Sequence, residues 1–289
     1  MAKVLGIGVA TMDCVQIVEH YPEVDSELRA QQQHLWRGGN ATNTLVVLSQ
    51  LGEQCSWLGT LADDVFADII CADLEHHHID YSLCPRLVNT TSPTSHILLS
   101  RESASRNIVH YRNLRELNEQ DSNDIDFSQW DWIHFEGRNV EVTHHLMCHI
   151  RKNYPNVTVS LEIEKPRDGI ETLFDFADCL FFSRHFANAK GFKTAERFLR
   201  EWQDLHKQSS DLICAWGEEG ASALSNKGIY FAVPALDIDV VDSRAAGDVF
   251  NAAYIHARLQ GEDLLQGLEQ ACQFAGIKCS QLGLNNIKR

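Results

Sequence analysis

Short apolar runs alternate with amphipathic segments along most of this 289-residue chain, and that alternation predicts its elements. Runs that read as buried strands fall at residues 4–9, 56–61, 132–135, 157–163, 180–183 and 212–216. Apolar positions recurring every three or four residues predict helices at 43–51, 65–75, 141–152, 195–205, 249–259 and 264–279. The first of these helices runs into Gly52, a residue that ends helices because it takes the left-handed conformation at little cost. Strand and helix in alternation imply an α/β fold, with a mostly parallel sheet covered by helices on both faces. Two segments, 14–36 and 94–111, depart from this and alternate with period two, as in His96–Ile97–Leu98–Leu99–Ser100. They read as half-exposed strands and predict a small β lid extending from the main sheet. No Pro/Gly/Ser linker and no internal repeat interrupts the chain, so 1–289 reads as a single domain.

Composition narrows the function classes. Apolar residues make up 44%, enough for a sizeable core, and the formal net charge is −15. That charge argues against nucleic acid or an anionic membrane as a partner, since both reward basic surfaces. It leaves room for a small anionic ligand at a locally positive site. No apolar run approaches the ~20 residues that span a bilayer, and the short run after Met1–Ala2–Lys3 lacks the make-up of a signal peptide. The nine cysteines are odd in number, scattered, and without a C-x-x-C pair, as expected of reduced thiols in a cytoplasmic protein.

Three segments carry candidate chemistry. In Val241–Asp242–Ser243–Arg244–Ala245–Ala246–Gly247–Asp248 a turn of small residues leads straight into an amphipathic helix. Small side chains let backbone N–H groups approach an anion, and the helix N-terminus adds a favourable dipole. Asp248 there either caps the helix or takes a proton from a hydroxyl that attacks phosphorus. In Arg37–Gly38–Gly39–Asn40–Ala41–Thr42–Asn43, Asn40 and Asn43 share one face of a helix start and suit a polyhydroxy ligand, although Gly-Gly-Asn alone is a common turn. Asp13, expected at the C-terminal end of the first strand, is a ligand or a cap. Cys214–Ala215–Trp216–Gly217–Glu218–Glu219–Gly220 reads as a strand followed by a G-x-x-G turn that a nucleotide can approach.

Taken in order, these segments resemble the ribokinase/PfkB family over essentially the whole length, with Gly-Gly-Asn near one end and Asp-x-x-x-Ala-Gly-Asp near the other. His134 through Asn139, Glu162 through Arg167, Cys214 through Gly220 and Gly276 through Cys279 resemble its ketohexokinase branch. The resemblance implies a ribokinase-like fold and transfer of phosphate from ATP, with Mg²⁺, to a sugar: fructose or a related ketose at its C1 hydroxyl, or another sugar or nucleoside. A non-catalytic sugar- or nucleotide-binding regulator is the rival of a different class. The resemblance implies Asp248 as general base, with Ala245, Ala246 and Gly247 as an anion hole that survives the alanine at 245 if φ there is negative. It implies Asp13, Gly39, Asn40 and Asn43 on the sugar, and Arg106 of the lid near sugar and phosphate. Arg184, Gly217, Glu218, Gly220, Cys272 and Cys279 fall at the nucleotide. Asp242 falls at a monovalent cation such as K⁺ in members that use one, and Glu164 is the candidate for Mg²⁺, because the family's Asn-x-x-Glu motif is replaced by Ser183–Arg184–His185–Phe186. The lid also implies a homodimer, with Asp25 reaching towards the partner's site. Arg244 stands where the family has an apolar residue or threonine, free to contact ATP or solvent.

Other features read as ordinary structure. His76–His77–His78 reads as a surface helix end, since consecutive helical residues diverge. His145 and His149 share a face without a third ligand, and His134 reads as a satisfied core histidine. Glu162 and Glu164 point to one side of a strand that is either an exposed edge or, from the resemblance, the rim of an active site.

Overall fold

The apolar runs assemble into a nine-stranded sheet in a computed structural model that describes residues 1–103, 105–206 and 210–287. Its strands are β1 (Lys3–Ile7), β4 (Gln54–Leu58), β6 (Ile79–Asp80), β10 (Trp132–Glu136), β11 (Thr158–Ile163), β12 (Cys179–Ser183), β13 (Asp211–Ala215), β14 (Ala221–Leu224) and β15 (Tyr230–Val233). Their spatial order is β15–β14–β13–β12–β11–β10–β1–β4–β6. The strands from β6 to β13 run parallel, and β14 and β15 return antiparallel at one edge. Seven helices complete the described fold: α1 (Asn40–Gln50), α2 (Val65–His76), α3 (Val140–Asn153), α4 (Arg184–Ala189), α5 (Ala195–His206), α6 (Ala246–Leu259) and α7 (Leu264–Cys279).

Side chains alternate between the faces of the sheet, so neighbours along a strand enter different cores. Val4 and Phe181 join the core that includes residues of α1, α2, α6 and α7. Leu5 and Phe182 join the one that includes residues of α3, α4 and α5. Burying both faces is why these strands read as continuous apolar runs.

The lid is a separate four-stranded sheet, ordered β3 (Gln32–Gly38), β2 (Thr11–Val18), β8 (Thr94–Ser100), β9 (Ser105–Tyr111). It does not continue the main sheet, as the period-two pattern suggested. β2 begins at Thr11, and residues 19–31 form a loop between two strands rather than a strand. The other period-two segment is the antiparallel hairpin of β8 and β9, and every residue of β9 is exposed. The run at 56–61 also divides: β4 ends at Leu58, and Leu61–Ala62 (β5) pairs instead with Arg86–Leu87 (β7). No helix among the described residues is long and apolar enough to cross a membrane.

Candidate active site

A cleft of about 610 Å³ opens between the lid and the C-terminal ends of β1 and β10. It is lined by both signature segments, by Asp13 and Arg106 of the lid, and by Glu136 and Glu164. Asp13 lies inside lid strand β2, paired with Trp36, and not at the end of the first main-sheet strand as expected.

The first signature folds around Gly39. This residue caps α1 with φ 111°, and a Cβ there would sit 1.9 Å from the Val9 carbonyl oxygen. Only glycine fits that left-handed, close-approach position. The helix therefore starts at Asn40, earlier than its apolar pattern indicated, and both asparagines lie in its first turns. Asn40 donates from Nδ2 to Glu164 Oε2 (3.3 Å). Asn43 donates from Nδ2 to Asp248 Oδ2 (2.7 Å), and its Oδ1 accepts from Arg37 Nη1 (2.8 Å). Arg37 is fixed in turn by Asp73 Oδ2 (2.6 Å). Asn43 thus bridges Arg37 and Asp248, which makes it as much a support for Asp248 as a ligand group.

The second signature supplies Asp248. Ala245 is the N-cap residue of α6, and no side chain caps that helix. The Asp248 carboxylate bonds Asn43 instead, which removes the capping alternative. Ala245 has φ 57°, so the condition of a negative φ is not met, and the N–H groups available to an anion are those further along the helix start. An alanine in that left-handed region carries roughly 1–2 kcal/mol of strain. Ala246 N–H reaches the Ser243 carbonyl at 3.4 Å, and the first i→i−4 bond runs from Val249 N–H to Ala245 C=O (3.0 Å). The N–H groups of Gly247 and Asp248 precede that ladder, at the helix end that favours anions.

Burial dominates the electrostatics of the floor. Asp248 is 5% exposed. Its burial pushes the carboxyl up to about 8, against the Asn43 hydrogen bond; the charges of Glu164 and Glu136 add to the rise, and Arg37 opposes it. Glu136 is raised by burial too, although Arg138 and the Val9 N–H hold one oxygen each (3.3 and 3.0 Å). Glu162 is raised well above the carboxylate range by burial and by Asp248, and its Oε2 has no hydrogen-bond partner. Glu162 and Glu164 therefore do not behave alike. β11 is a central strand, so Glu162 is buried, while Glu164 follows the strand end and reaches the cleft.

The other sequence candidates fall outside this cleft, except at the Asp242 turn. Arg184 opens α4, where Ser183 caps the helix and Arg184 Nη1 donates to Glu218 Oε1 (2.8 Å). Gly217 and Gly220 have φ 67° and 92°, and a Cβ on Gly220 would meet the Val233 carbonyl oxygen at 2.1 Å. Cys272 is buried, which pushes its thiol up to about 12. Cys279 ends α7, and its carbonyl accepts from the N–H groups of Val241 and Asp242 (2.8 and 3.1 Å). Asp25 sits in an exposed lid loop with φ 61°. Asp242 lines the cleft, paired with Lys278 Nζ (3.1 Å) and Arg244 Nε (2.8 Å). Arg244 also stacks on the lid residue Trp36, 4.5 Å from the ring centroid, so its side chain is committed to Asp242 and the lid. His76 ends α2, and His145 pairs with Glu119 (3.4 Å). His134 is only half satisfied: Nδ1 bonds Ser160 Oγ (2.8 Å) and Nε2 has no partner. No group of three or more His, Cys, Asp or Glu among the described residues is placed to hold a metal ion by itself.

Sequence reasoning assigned no role to Trp36, Arg37, Glu136, Arg138 or Lys278. Arg37 and Trp36 directly precede the Gly-Gly-Asn segment, and Glu136–Gly137–Arg138 follows a buried strand into the cleft. Those positions were the available signal.

The comparisons agree with this geometry. The model for "pfkB family carbohydrate kinase" matches residues 1–288. Ketohexokinase of Mus musculus is 34% identical over 293 residues, covering 99% of this chain and 98% of that protein. The crystal structure of ribokinase from Thermotoga maritima superposes with a TM-score of 0.81 at 21% identity, covering 99% of this chain and 96% of that one. Arabidopsis thaliana ribokinase complexed with ribose and ATP gives 0.83 at 17%, covering 98% and 94%. At these identities the two structures establish the fold.

The raised Asp248 has a consequence for stability. An unfolded Asp ionises near pH 4, whereas the folded carboxyl holds its proton up to about 8. Between those values the folded state binds more protons, so this group's contribution falls as pH rises. Asp248→Asn keeps an acceptor for Asn43 and removes the titration. Its melting temperature, measured against wild type, is expected to gain steadily from pH 5 to 8 and then level off. A variant no more stable than wild type across that range contradicts the assignment.

Proposed function

The chain belongs to the PfkB family of carbohydrate kinases, and on that premise we propose that it transfers the γ-phosphoryl group of ATP to the C1 hydroxyl of fructose or a close ketose. The observation that carries this reading is the buried Asp248 carboxylate at the N-terminus of α6, held at the cleft floor by Asn43. Asp248 takes the proton as the sugar oxygen attacks phosphorus, the bond to the bridging oxygen breaks, and ADP leaves. The N–H groups at the start of α6 face the charge that builds on the phosphoryl oxygens.

Asp13, Gly39 and Asn40 line the same cleft and bind the sugar in this reading, and Arg106 reaches over it from the lid. A sugar that leaves one of these polar groups unpaired loses ~1–3 kcal/mol, which is how the site would read hydroxyl patterns. The nucleotide lies along the ends of β12 and β13, by Arg184, Gly217, Glu218, Gly220, Cys272 and Cys279. Mg²⁺ is usually held by one or two carboxylates together with substrate phosphates. Glu164, a carboxylate at the cleft with its side chain 48% exposed, suits that arrangement. When bound, Mg²⁺ supplies neutralisation of phosphate charge. Full-length similarity to a ketohexokinase is what favours a ketose over ribose or a nucleoside.

The lid supports assembly as a homodimer. Along β9, Val109 and Tyr111 share the face turned away from the cleft and are 70% and 57% exposed, an apolar pair on an edge strand that a second copy would cover. Asp25, in the same lid, would then reach the partner's site. Light scattering at assay concentration should give twice the chain mass; a fully active monomer removes the dimer.

ADP release with fructose, tagatose, ribose, glucose and adenosine, with the position of phosphate read by NMR, tests the substrate. Fructose 1-phosphate is the expected product. Efficient turnover of ribose or adenosine with none of fructose leaves only the broader kinase reading, and turnover of none favours the binding regulator. Asp248→Asn should lower kcat by ~10²–10⁴ while sugar binding persists. Wild-type kcat in that variant would exclude Asp248 as the base.

A further inference from the structure

Lys278 is the penultimate residue of α7 and is 0% exposed, a rare burial for a lysine. Its ammonium donates to the Asp242 backbone carbonyl (2.8 Å) and to Asp242 Oδ2 (3.1 Å). Asp242 is itself nearly buried, and nothing on it is free. Oδ1 accepts from the backbone N–H and Nε of Arg244 (3.0 and 2.8 Å), while Oδ2 accepts from Arg244 Nη2 (3.1 Å) and the Gly283 N–H (3.3 Å). Burial alone would raise this carboxyl, but the bonds and charges of Arg244 and Lys278 hold it down at about 2. Asp242 is therefore a fixed carboxylate whose counterions belong to the chain.

The family resemblance implies a monovalent cation at Asp242 in those members that use one, and the residues here do not fit that ion. The carbonyl and carboxylate oxygens of Asp242 that such an ion would need already accept hydrogen bonds from an ammonium group, which is close in size to K⁺. We propose that Lys278 is a built-in cation: it is a positioning residue that holds the turn 242–245 at the start of α6, so that the enzyme works without free K⁺. The turn is also held by the Val241 and Asp242 N–H bonds to Cys279 C=O, by Arg244 and by the Gly283 N–H. It leads directly to Ala246, Gly247 and Asp248, so its placement sets that of the anion-binding N–H groups and the base. This inference rests on the kinase reading for its catalytic half; the structural half stands by itself.

The test compares wild type, Lys278→Met, and Lys278→Met combined with Asp242→Asn, in KCl and in tetramethylammonium chloride at equal ionic strength. Both ADP release and melting temperature are read. Wild type should show the same kcat and the same melting temperature in both salts. Lys278→Met should lose about ten-fold or more in kcat, with little change in the KM for sugar, because a turn moved by less than its own width misplaces the reacting groups. KCl should restore part of that loss and raise the melting temperature of this variant alone. The double variant, which removes both charges of the Lys278–Asp242 pair but leaves Arg244 without its carboxylate, should melt above Lys278→Met though below wild type, and respond to neither salt. If Lys278→Met does not fold, the double variant and wild type still decide the matter. A wild-type enzyme that needs KCl, or melts higher in it, overturns the proposal. So does a Lys278→Met variant with wild-type kcat and no response to KCl. If wild type phosphorylates no sugar in either salt, the kinase reading fails, while the melting data still report whether Lys278 replaces the ion.

Discussion

One hydrogen bond, from Asn43 Nδ2 to Asp248 Oδ2, ties together residues 205 apart in sequence, and the site is organised around it. A carboxylate buried to this degree is costly unless it is hydrogen-bonded, and in an apolar pocket it would simply stay protonated. Asn43 reduces that cost without supplying a full charge, because its own oxygen is held by Arg37, and Arg37 by Asp73. The relay stabilises the ionised form partly. It leaves a carboxyl poised near neutrality, where a base is most effective. The backbone demands follow from the same bond. Gly39 must adopt φ 111° so that α1 begins early enough to present Asn43, and Thr44 of that helix also bonds the Asp248 carbonyl (3.3 Å).

The cleft gathers more cations than carboxylates. Eight Lys and Arg line it against six Asp and Glu, a positive balance on a chain whose formal charge is −15. Focusing of this kind lets an acidic protein hold an anionic ligand. Glu136 and Asp248 are buried at the floor together with Arg37 and Lys278, and Arg106 lies in the lid. Arg244 joins lid and floor, bonding Asp242 below and stacking on Trp36 above, a contact of ~0.5–2 kcal/mol that couples lid position to the anion-binding turn.

Much of this was legible in the sequence. Helix α7 falls at 264–279 as its periodicity indicated, and β10, β12 and β13 begin or end within a residue of their apolar runs. These are long or fully buried elements, where one pattern dominates. The two-residue strands β6 and β7 are too short to show a period, and β14, Ala221–Leu224, is built from small residues that carry little signal. Asp248, Asn40 and Asn43 were found because each lies in a Gly-containing turn at a helix start. Glu136 and Lys278 were not, because a buried charge has no local signature: its meaning depends on a partner distant in sequence. The positive φ of Ala245 was not legible for a related reason. An alanine normally avoids the left-handed region, and only the tertiary hold on the turn through Asp242 accounts for the strain.

The central claim is that Asp248 acts as a base whose ionisation is set by burial and restrained by Asn43. The pH dependence of kcat/KM, measured from about pH 6 to about pH 9.5 in wild type and in Asn43→Ala, addresses it most directly. The account predicts that wild-type activity rises with pH through a value of about 8, where Asp248 loses its proton. It also predicts that the rise moves to higher pH in Asn43→Ala, because the bond that favours the ionised form is gone. A flat wild-type profile over that range, or a rise at the same pH in both proteins, would contradict it.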